Sequence, residues 1–258
     1  MWNMLRRIFF TMLILVFGGQ YSVIAQETIV DLKREIDELK KGQVAVQTDL
    51  MMIKKYLFSN KKPSTPNVDV KDVEIDLADN PCKGDDSAPL VIVEFTDYQC
   101  SFCAKHTKEI YPEIKKKYIN TGKLRYVIVD RPLPSHEMAA KAAEATHCAE
   151  EQGKFWEMHD KMMANPDKID DLNFLVSSLD IDIQKFKNCM DKKKYAGKVI
   201  SNATLAMKLN ISYVPSFIFA SSDPDNPNKI KGISYIVGAR PFRQFQTDID
   251  KVLTDLTK

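Results

Sequence analysis

The feature that most constrains this chain is a pair of cysteines, Cys100 and Cys103, separated by two residues. They follow the apolar run 90–95, which has the length of a buried strand, and they open a stretch from Cys100 to about Tyr118 that has helical periodicity. A thiolate in the first turn of a helix is stabilised by unpaired backbone N–H groups and by the helix dipole. The pattern predicts a nucleophilic thiol at Cys100 and a resolving thiol at Cys103, as thiol–disulfide exchange requires.

The order of elements around this pair predicts a mixed α/β fold over residues 73–258. Short strands are expected at 73–77, 90–95, 124–129, 216–220 and 233–237, and a closing amphipathic helix from Pro241. The segment of about 135–209 has several helical periods and no convincing strand, which indicates a helical insert. Helices should therefore cover both faces of the sheet.

The first residues have the pattern of an export signal. Arg6 and Arg7 precede the apolar run 8–17, and small residues lead to Ala25. We predict a signal peptide over residues 1–25, with an uncleaved membrane anchor as the alternative. Export would place the chain in the periplasm or an equivalent envelope space, an oxidising compartment that suits a disulfide exchanger with further cysteines.

Residues 26–58 have a heptad pattern, which predicts a coiled-coil oligomerisation helix. Its a and d positions are Ile29, Leu32, Ile36, Leu39, Val46, Leu50, Ile53 and Leu57. Parallel pairing would set Glu35 against Lys40 of a neighbour, so we expect a parallel homodimer or homotrimer. A single amphipathic helix on the chain's own domain is the alternative. The segment 59–72, which contains Pro63 and Pro66, is predicted to be a linker.

Composition argues against two other classes of partner. The net charge is +2, and no basic stripe is interleaved with aromatic residues, so nucleic acid is not expected. No metal site is expected either, because a lone pair of cysteines supplies two of the four ligands of a closed zinc site. Binding of a soft ion such as Cu(I) by reduced Cys100 and Cys103 stays open as an alternative function. No cofactor is expected beyond the redox-active disulfide itself.

Two segments resemble the DsbA family of thioredoxin-fold oxidoreductases. They are the run Val-Glu-Phe-Thr-Asp-Tyr-Gln-Cys-Ser-Phe-Cys at 93–103 and Tyr-Val-Pro-Ser-Phe at 213–217. The motifs at 84–89, 152–156 and 238–241 support the resemblance. It implies a thioredoxin fold interrupted by a helical domain, active in the bacterial envelope.

The resemblance also implies site residues. Pro215 becomes the candidate cis-proline facing the cysteines, and Val214 before it a position that contacts substrate. Ser101 and Phe102, between the cysteines, complete the expected substrate-binding set; they replace the Pro-His of many strongly oxidising relatives, so a weaker oxidant is expected. Glu94 interrupts an apolar strand, and as a buried carboxyl it could exchange a proton with Cys103. A solvent-facing glutamate is the alternative.

The other cysteines fall outside the pair. The resemblance places Cys148 and Cys189 near each other, which favours a structural disulfide over two buried free thiols. Cys82 is left without an assigned partner. His106, His136 and His147 are interpreted as structural or surface residues.

These observations predict an envelope protein disulfide oxidoreductase. Val214 before the proline is typical of oxidases, whereas a stalk that joins several catalytic domains favours isomerase activity. We therefore expect mixed oxidase and isomerase activity on exported cysteine-containing clients, with recycling by a DsbB-like or DsbD-like membrane partner. A plain monomeric oxidase is the alternative.

Overall fold

The computed structural model describes residues 32–36, 39–40, 43, 68–77, 80–223 and 225–257. The chain divides into two units, 1–64 and 65–258. In the first, the described residues are helical, and Leu32, Ile36 and Leu39 are 51%, 47% and 73% exposed. The predicted signal peptide, most of the predicted linker and the heptad residues Ile29, Val46, Leu50, Ile53 and Leu57 lie outside the described residues. In the part that is described, no helix is both long and apolar enough to cross a membrane.

The second unit is built on a six-stranded mixed sheet. Its strands are β1 (Glu74–Asp76), β2 (Cys82–Lys83), β3 (Leu90–Thr96), β4 (Leu124–Asp130), β5 (Ser216–Ser222) and β6 (Lys229–Val237). They lie in the order β1-β6-β5-β3-β4-β2. β3 pairs in parallel with β4 and antiparallel with β5, so it is the central strand that leads to Cys100.

Every residue of β3 and β4 is buried, because side chains on both faces of these strands are covered. On one face, Ile92 and Tyr126 pack with the helix that follows Cys100 and with Phe245 of the last helix. On the other face, Val91 and Val93 pack with residues from 206 to 211 and with the first strand. Continuous apolar strands of this kind are typical of a sheet between two helical layers.

The helix after Cys100 is not uniform. It runs as α1 (Ser101–Lys105), a widened π turn (His106–Ile110), α2 (Tyr111–Ile114) and a second π turn (Lys115–Ile119). Pro112 lacks a backbone N–H and cannot continue the ordinary ladder. Just before it, the N–H of Tyr111 donates to the carbonyl of His106, five residues back, which is the π pattern.

A helical insert connects β4 to β5, and a final helix closes the chain. The insert contains α3 (Ala139–Glu150), α4 (Phe155–Ala164), a 3₁₀ turn (Pro166–Lys168), α5 (Leu172–Val176), α6 (Ile183–Asp191) and α7 (Ala196–Lys208), and the last helix is α8 (Phe242–Leu256). A disulfide between Cys148 and Cys189 joins α3 to α6, with 5.8 Å between the Cα atoms. The insert has its own core, which reaches Cys100 and Cys103.

One boundary differs from the sequence interpretation. The end of the predicted linker, residues 68–72, belongs to the folded domain: Val70 is buried, and the N–H of Asp72 donates to the carbonyl of Gly232. Gly232 in turn donates to Val73, so this segment is held on β6. The hydrogen bonds of an edge strand, rather than the local composition, set the boundary.

Candidate active site

Cys100 lies at the point where the central strand gives way to the helix. It is the residue before α1, in an extended conformation, and its side chain is 7% exposed. Cys103 lies one turn further in and is fully buried. Both are free thiols, so the structure shows the reduced form of the pair.

The two thiols differ in acidity. The side chain of Cys103 is the largest influence on Cys100, and together with the backbone N–H groups of Cys103 and Phe102 it lowers the pKa of Cys100 to about 6, against the opposing effects of burial and Asp97. Burial raises the pKa of Cys103 well above its usual value, and the charges of Cys100 and Glu94 add to this. The arrangement therefore favours a thiolate at Cys100 and a thiol at Cys103 near neutral pH.

A turn organised by Asp97 positions the pair. One carboxylate oxygen of Asp97 accepts from the N–H of Gln99 at 2.7 Å, and the other accepts from the N–H of Leu133 at 2.8 Å and contacts Nδ1 of His136 at 2.9 Å. Gln99 Oε1 accepts from the N–H of Met138 at 2.6 Å. The segment just before the nucleophile is thus tied to the beginning of the insert.

The loop before β5 lies opposite Cys100. The Val214–Pro215 peptide bond is cis, and Cys100 Sγ lies 3.5 Å from the carbonyl oxygen of Val214. Ser216 fixes the loop, because its hydroxyl donates to the carbonyl of Tyr213 at 2.6 Å and also contacts the hydroxyl of Tyr235. The backbone of Val214 is therefore beside the nucleophilic sulfur.

Two aromatic side chains around this pair are open to solvent. Phe102, between the cysteines, is 62% exposed, and Tyr213, next to Val214, is 57% exposed. Ser101 is also exposed. Large apolar side chains on a surface are typical of a site that contacts another molecule.

A buried polar group lies under the cysteines. Glu94 is 1% exposed, and the hydroxyl of Tyr126 donates to its Oε2 at 2.6 Å. His106 is fully buried, and its Nε2 lies 2.9 Å from the same hydroxyl. Glu94 is close enough for its charge to affect the acidity of Cys103.

The remaining cysteines do not join this site. Cys148 and Cys189 form the disulfide in the insert, and Cys82 is an exposed free thiol on β2. Among the residues that the structure describes, no three His, Cys, Asp or Glu side chains are arranged to hold a metal ion.

Several residues of the site did not stand out in the sequence. His106, interpreted from the sequence as structural or surface, is fully buried and contacts Tyr126. The signal was its position three residues after Cys103, which puts both on one helical face. Tyr126 could be suspected only as a polar residue in the apolar strand β4, and Asp97 only as an acidic residue close before Cys100.

Comparison with known proteins adds a family. A family model described as Thioredoxin matches residues 76–239, which is more than half of the chain. A variant of alpha-DsbA1 from Wolbachia pipientis superposes with a TM-score of 0.62 at 25% identity, covering 70% of this chain and 94% of that one.

Two relatives differ in how much of their length is shared. Disulfide bond formation protein D of Bacillus subtilis (strain 168) is 29% identical over 148 residues, covering 53% of this chain and 65% of that protein. Na(+)/H(+) antiporter NhaA 3 of Salinispora tropica is 29% identical over 168 residues, which are 64% of this chain and 25% of the antiporter. The chain therefore spans about a quarter of the antiporter's length.

Proposed function

This chain belongs to the DsbA-like thiol:disulfide oxidoreductases of the thioredoxin family, and we propose that it exchanges disulfides with client proteins through Cys100 and Cys103. The observation that carries the proposal is the contrast within the pair: an acidic thiol at the start of a helix and a fully buried thiol of raised pKa one turn further in.

The oxidising reaction takes two exchanges. A client thiolate attacks Cys100 Sγ of the oxidised pair, the Cys100–Cys103 bond breaks, and its electrons go to Cys103 Sγ, which takes a proton. A second client thiolate then attacks the client sulfur of the mixed disulfide, and Cys100 leaves as a thiolate. Because a thiol of low pKa is a good leaving group, the acidity of Cys100 favours oxidation of the client.

The loop before β5 would hold the client during these steps. The Val214 backbone, beside Cys100 Sγ, offers a strand-like partner to an extended client segment. Phe102 and Ser101, which follow the nucleophile and are exposed, would contact the residues that flank the client cysteine. Because proline has no backbone N–H, Pro215 places no further donor beside the Val214 backbone groups that would pair with the client.

The test is oxidative refolding of reduced, unfolded ribonuclease by the oxidised protein. Cys100→Ser should abolish the recovery of ribonuclease activity, because no mixed disulfide can form. Cys82→Ser is the matched control and should retain the parent's rate, since Cys82 lies on β2 outside the site. Equal recovery with Cys100→Ser and the parent would refute the proposal.

We further propose that the heptad helix joins two or three chains and that the joined domains reshuffle wrong disulfides. Leu32, Ile36 and Leu39 support this, because they are exposed apolar residues at heptad positions of a helical segment. A cleft between linked domains could hold a misfolded client by multivalency. The place of action that fits this chemistry is the periplasm or an equivalent envelope space, reached through the signal peptide over residues 1–25, with a membrane redox partner that restores the pair.

Solution mass and the isomerisation of scrambled ribonuclease test this second proposal. The chain without its signal peptide should be oligomeric and should isomerise, whereas a version that also lacks residues 26–66 should be monomeric and should only oxidise. A monomeric long form, or equal isomerisation by both, would exclude the stalk as the source of isomerase activity.

A further inference from the structure

The hydrogen bonds among the buried residues Glu94, Tyr126 and His106 all donate in one direction, from His106 towards Glu94. Tyr126 has one hydroxyl proton and gives it to Glu94 Oε2 at 2.6 Å. Its oxygen can therefore only accept from His106 Nε2, 2.9 Å away. Burial lowers the pKa of His106, so the ring is neutral and carries a single N–H, which this hydrogen bond places on Nε2. The chain of donors ends on the carboxylate.

The same group leaves two polar atoms without a partner. Glu94 Oε1 and His106 Nδ1 are buried, and neither has a hydrogen-bond partner among the described residues. Buried polar atoms nearly always have a hydrogen-bond partner, so two atoms without one in the same cluster need an explanation. A carboxylate oxygen without a donor, on a side chain whose charge acts on the Cys103 thiol, is the arrangement that a proton acceptor needs.

His106 is the first donor in this series of hydrogen bonds, and aromatic side chains cover its ring. Phe217 of β5 and Phe245 of α8 cover the ring, with centroids 4.5 and 5.2 Å away. The titratable groups that interact electrostatically with Glu94 or His106 include Cys103 on α1, Tyr98 before it, Tyr111 on α2, Tyr126 on β4 and His159 on α4. Among the residues that the structure describes, Tyr126 alone bridges Glu94 and His106 by hydrogen bonds.

We propose that His106 is a positioning residue for the resolving step: through Tyr126 it holds Glu94 as a carboxylate whose free oxygen takes the proton of Cys103. This inference rests on the proposed exchange chemistry at Cys100 and Cys103. In the step, Cys103 Sγ–H gives its proton to Glu94 Oε1, and the thiolate attacks Cys100 Sγ in the mixed disulfide. The Cys100–Cys103 bond forms, and the partner sulfur leaves with the electron pair of the broken bond.

The experiment separates this step from the first one, with oxidised glutathione as the probe. Reduced protein is mixed with the probe, stopped with acid and alkylated, and mass spectrometry follows the mixed disulfide at Cys100 as it forms and decays. The rate of formation measures the reactivity of Cys100, and the rate of decay measures the attack by Cys103. The decay rate is measured across pH for each variant.

His106→Phe and Tyr126→Phe should slow decay about tenfold at neutral pH and change its pH dependence, because the carboxylate loses the donor that positions it. His106→Gln, which can present a donor near the Nε2 position, should stay within about twofold of the parent. Tyr111→Phe is the matched control: it removes a buried hydroxyl from a ring that packs 5.0 Å from Tyr126 but lies outside the chain of donors, and it should change nothing.

Three results would overturn the inference while leaving the exchange chemistry intact. They are an unchanged decay rate in both phenylalanine variants, slow decay with an unmoved pH profile, and equal slowing in the glutamine or Tyr111→Phe variants, which would indicate packing. Failure of the parent to form any mixed disulfide would overturn the proposed function together with the inference.

Discussion

Replacing Cys103 with alanine is expected to raise the pKa of Cys100, because the Cys103 side chain is the largest influence that lowers it to about 6. With that value, about nine-tenths of Cys100 is thiolate at pH 7, against about three-hundredths for a thiol of ordinary acidity. A hydrogen bond to a charged group contributes about 1.5–3 kcal/mol, and S–H is a weak donor, so we expect a rise of about one pKa unit. About half of Cys100 would then be ionised at pH 7.

The assay is a pH titration of the ultraviolet absorbance of the thiolate, repeated as the pH dependence of alkylation of Cys100. Cys103→Ser is the matched control, because it also lacks the resolving thiol but keeps a donor at the same position. Its Cys100 should titrate at or below the parent value. If the alanine and serine variants titrate together, the backbone N–H groups of Phe102 and Cys103 carry the shift, and the reasoning from the side chain is wrong.

Three further predictions concern stability. Because the pKa of Cys100 is lower in the folded protein than in the unfolded one, its ionisation stabilises the reduced protein at a pH above the unfolded pKa, and this stabilisation is lost as the pH falls through about 6. The melting temperature of the reduced form should therefore fall relative to that of the oxidised form between about pH 8 and about pH 5. A constant difference between the two melting temperatures would contradict this. The Cys148–Cys189 bridge closes a sequence separation of 41, so replacing both cysteines with alanine should cost about 4 kcal/mol of unfolding free energy in urea. A loss below about 1 kcal/mol would refute the loop-entropy argument. His147 Nε2 lies 2.8 Å from the buried carboxylate of Asp130, so His147→Leu should cost about 3 kcal/mol by leaving Asn202 as the remaining donor to that oxygen. An unchanged urea midpoint would show that the pair contributes little.

The sequence was sufficient where local signals agree. An apolar run, a turn and a helical period placed Cys100 at the start of a helix without any long-range information. The insert was also predictable, because its helices have their own apolar periodicity. The thioredoxin fold and the DsbA-like family expected from these motifs are both confirmed by the comparisons.

The sequence was insufficient where side chains from distant segments meet. Glu94 and Tyr126 share a face only because β3 pairs in parallel with β4 in the register that sets Ile92 beside Tyr126. A widened turn begins at His106 and ends just before Tyr111 and Pro112, and it changes the face that a straight helix would present beyond His106. His147 reads as an ordinary helical residue until β4 places Asp130 against it.

The position of the insert also bears on how the chain folds. Leu90 at the start of β3 pairs with Ser221 of β5, so one of the two strands that pair with β3 follows the whole insert in the sequence. Closing such a loop costs entropy before any contact repays it, and non-local pairing of this kind slows folding. A ribosome delivers the five insert helices and both bridged cysteines before it delivers β5. The insert can therefore condense first as a local unit, and the sheet that organises the redox pair is completed last.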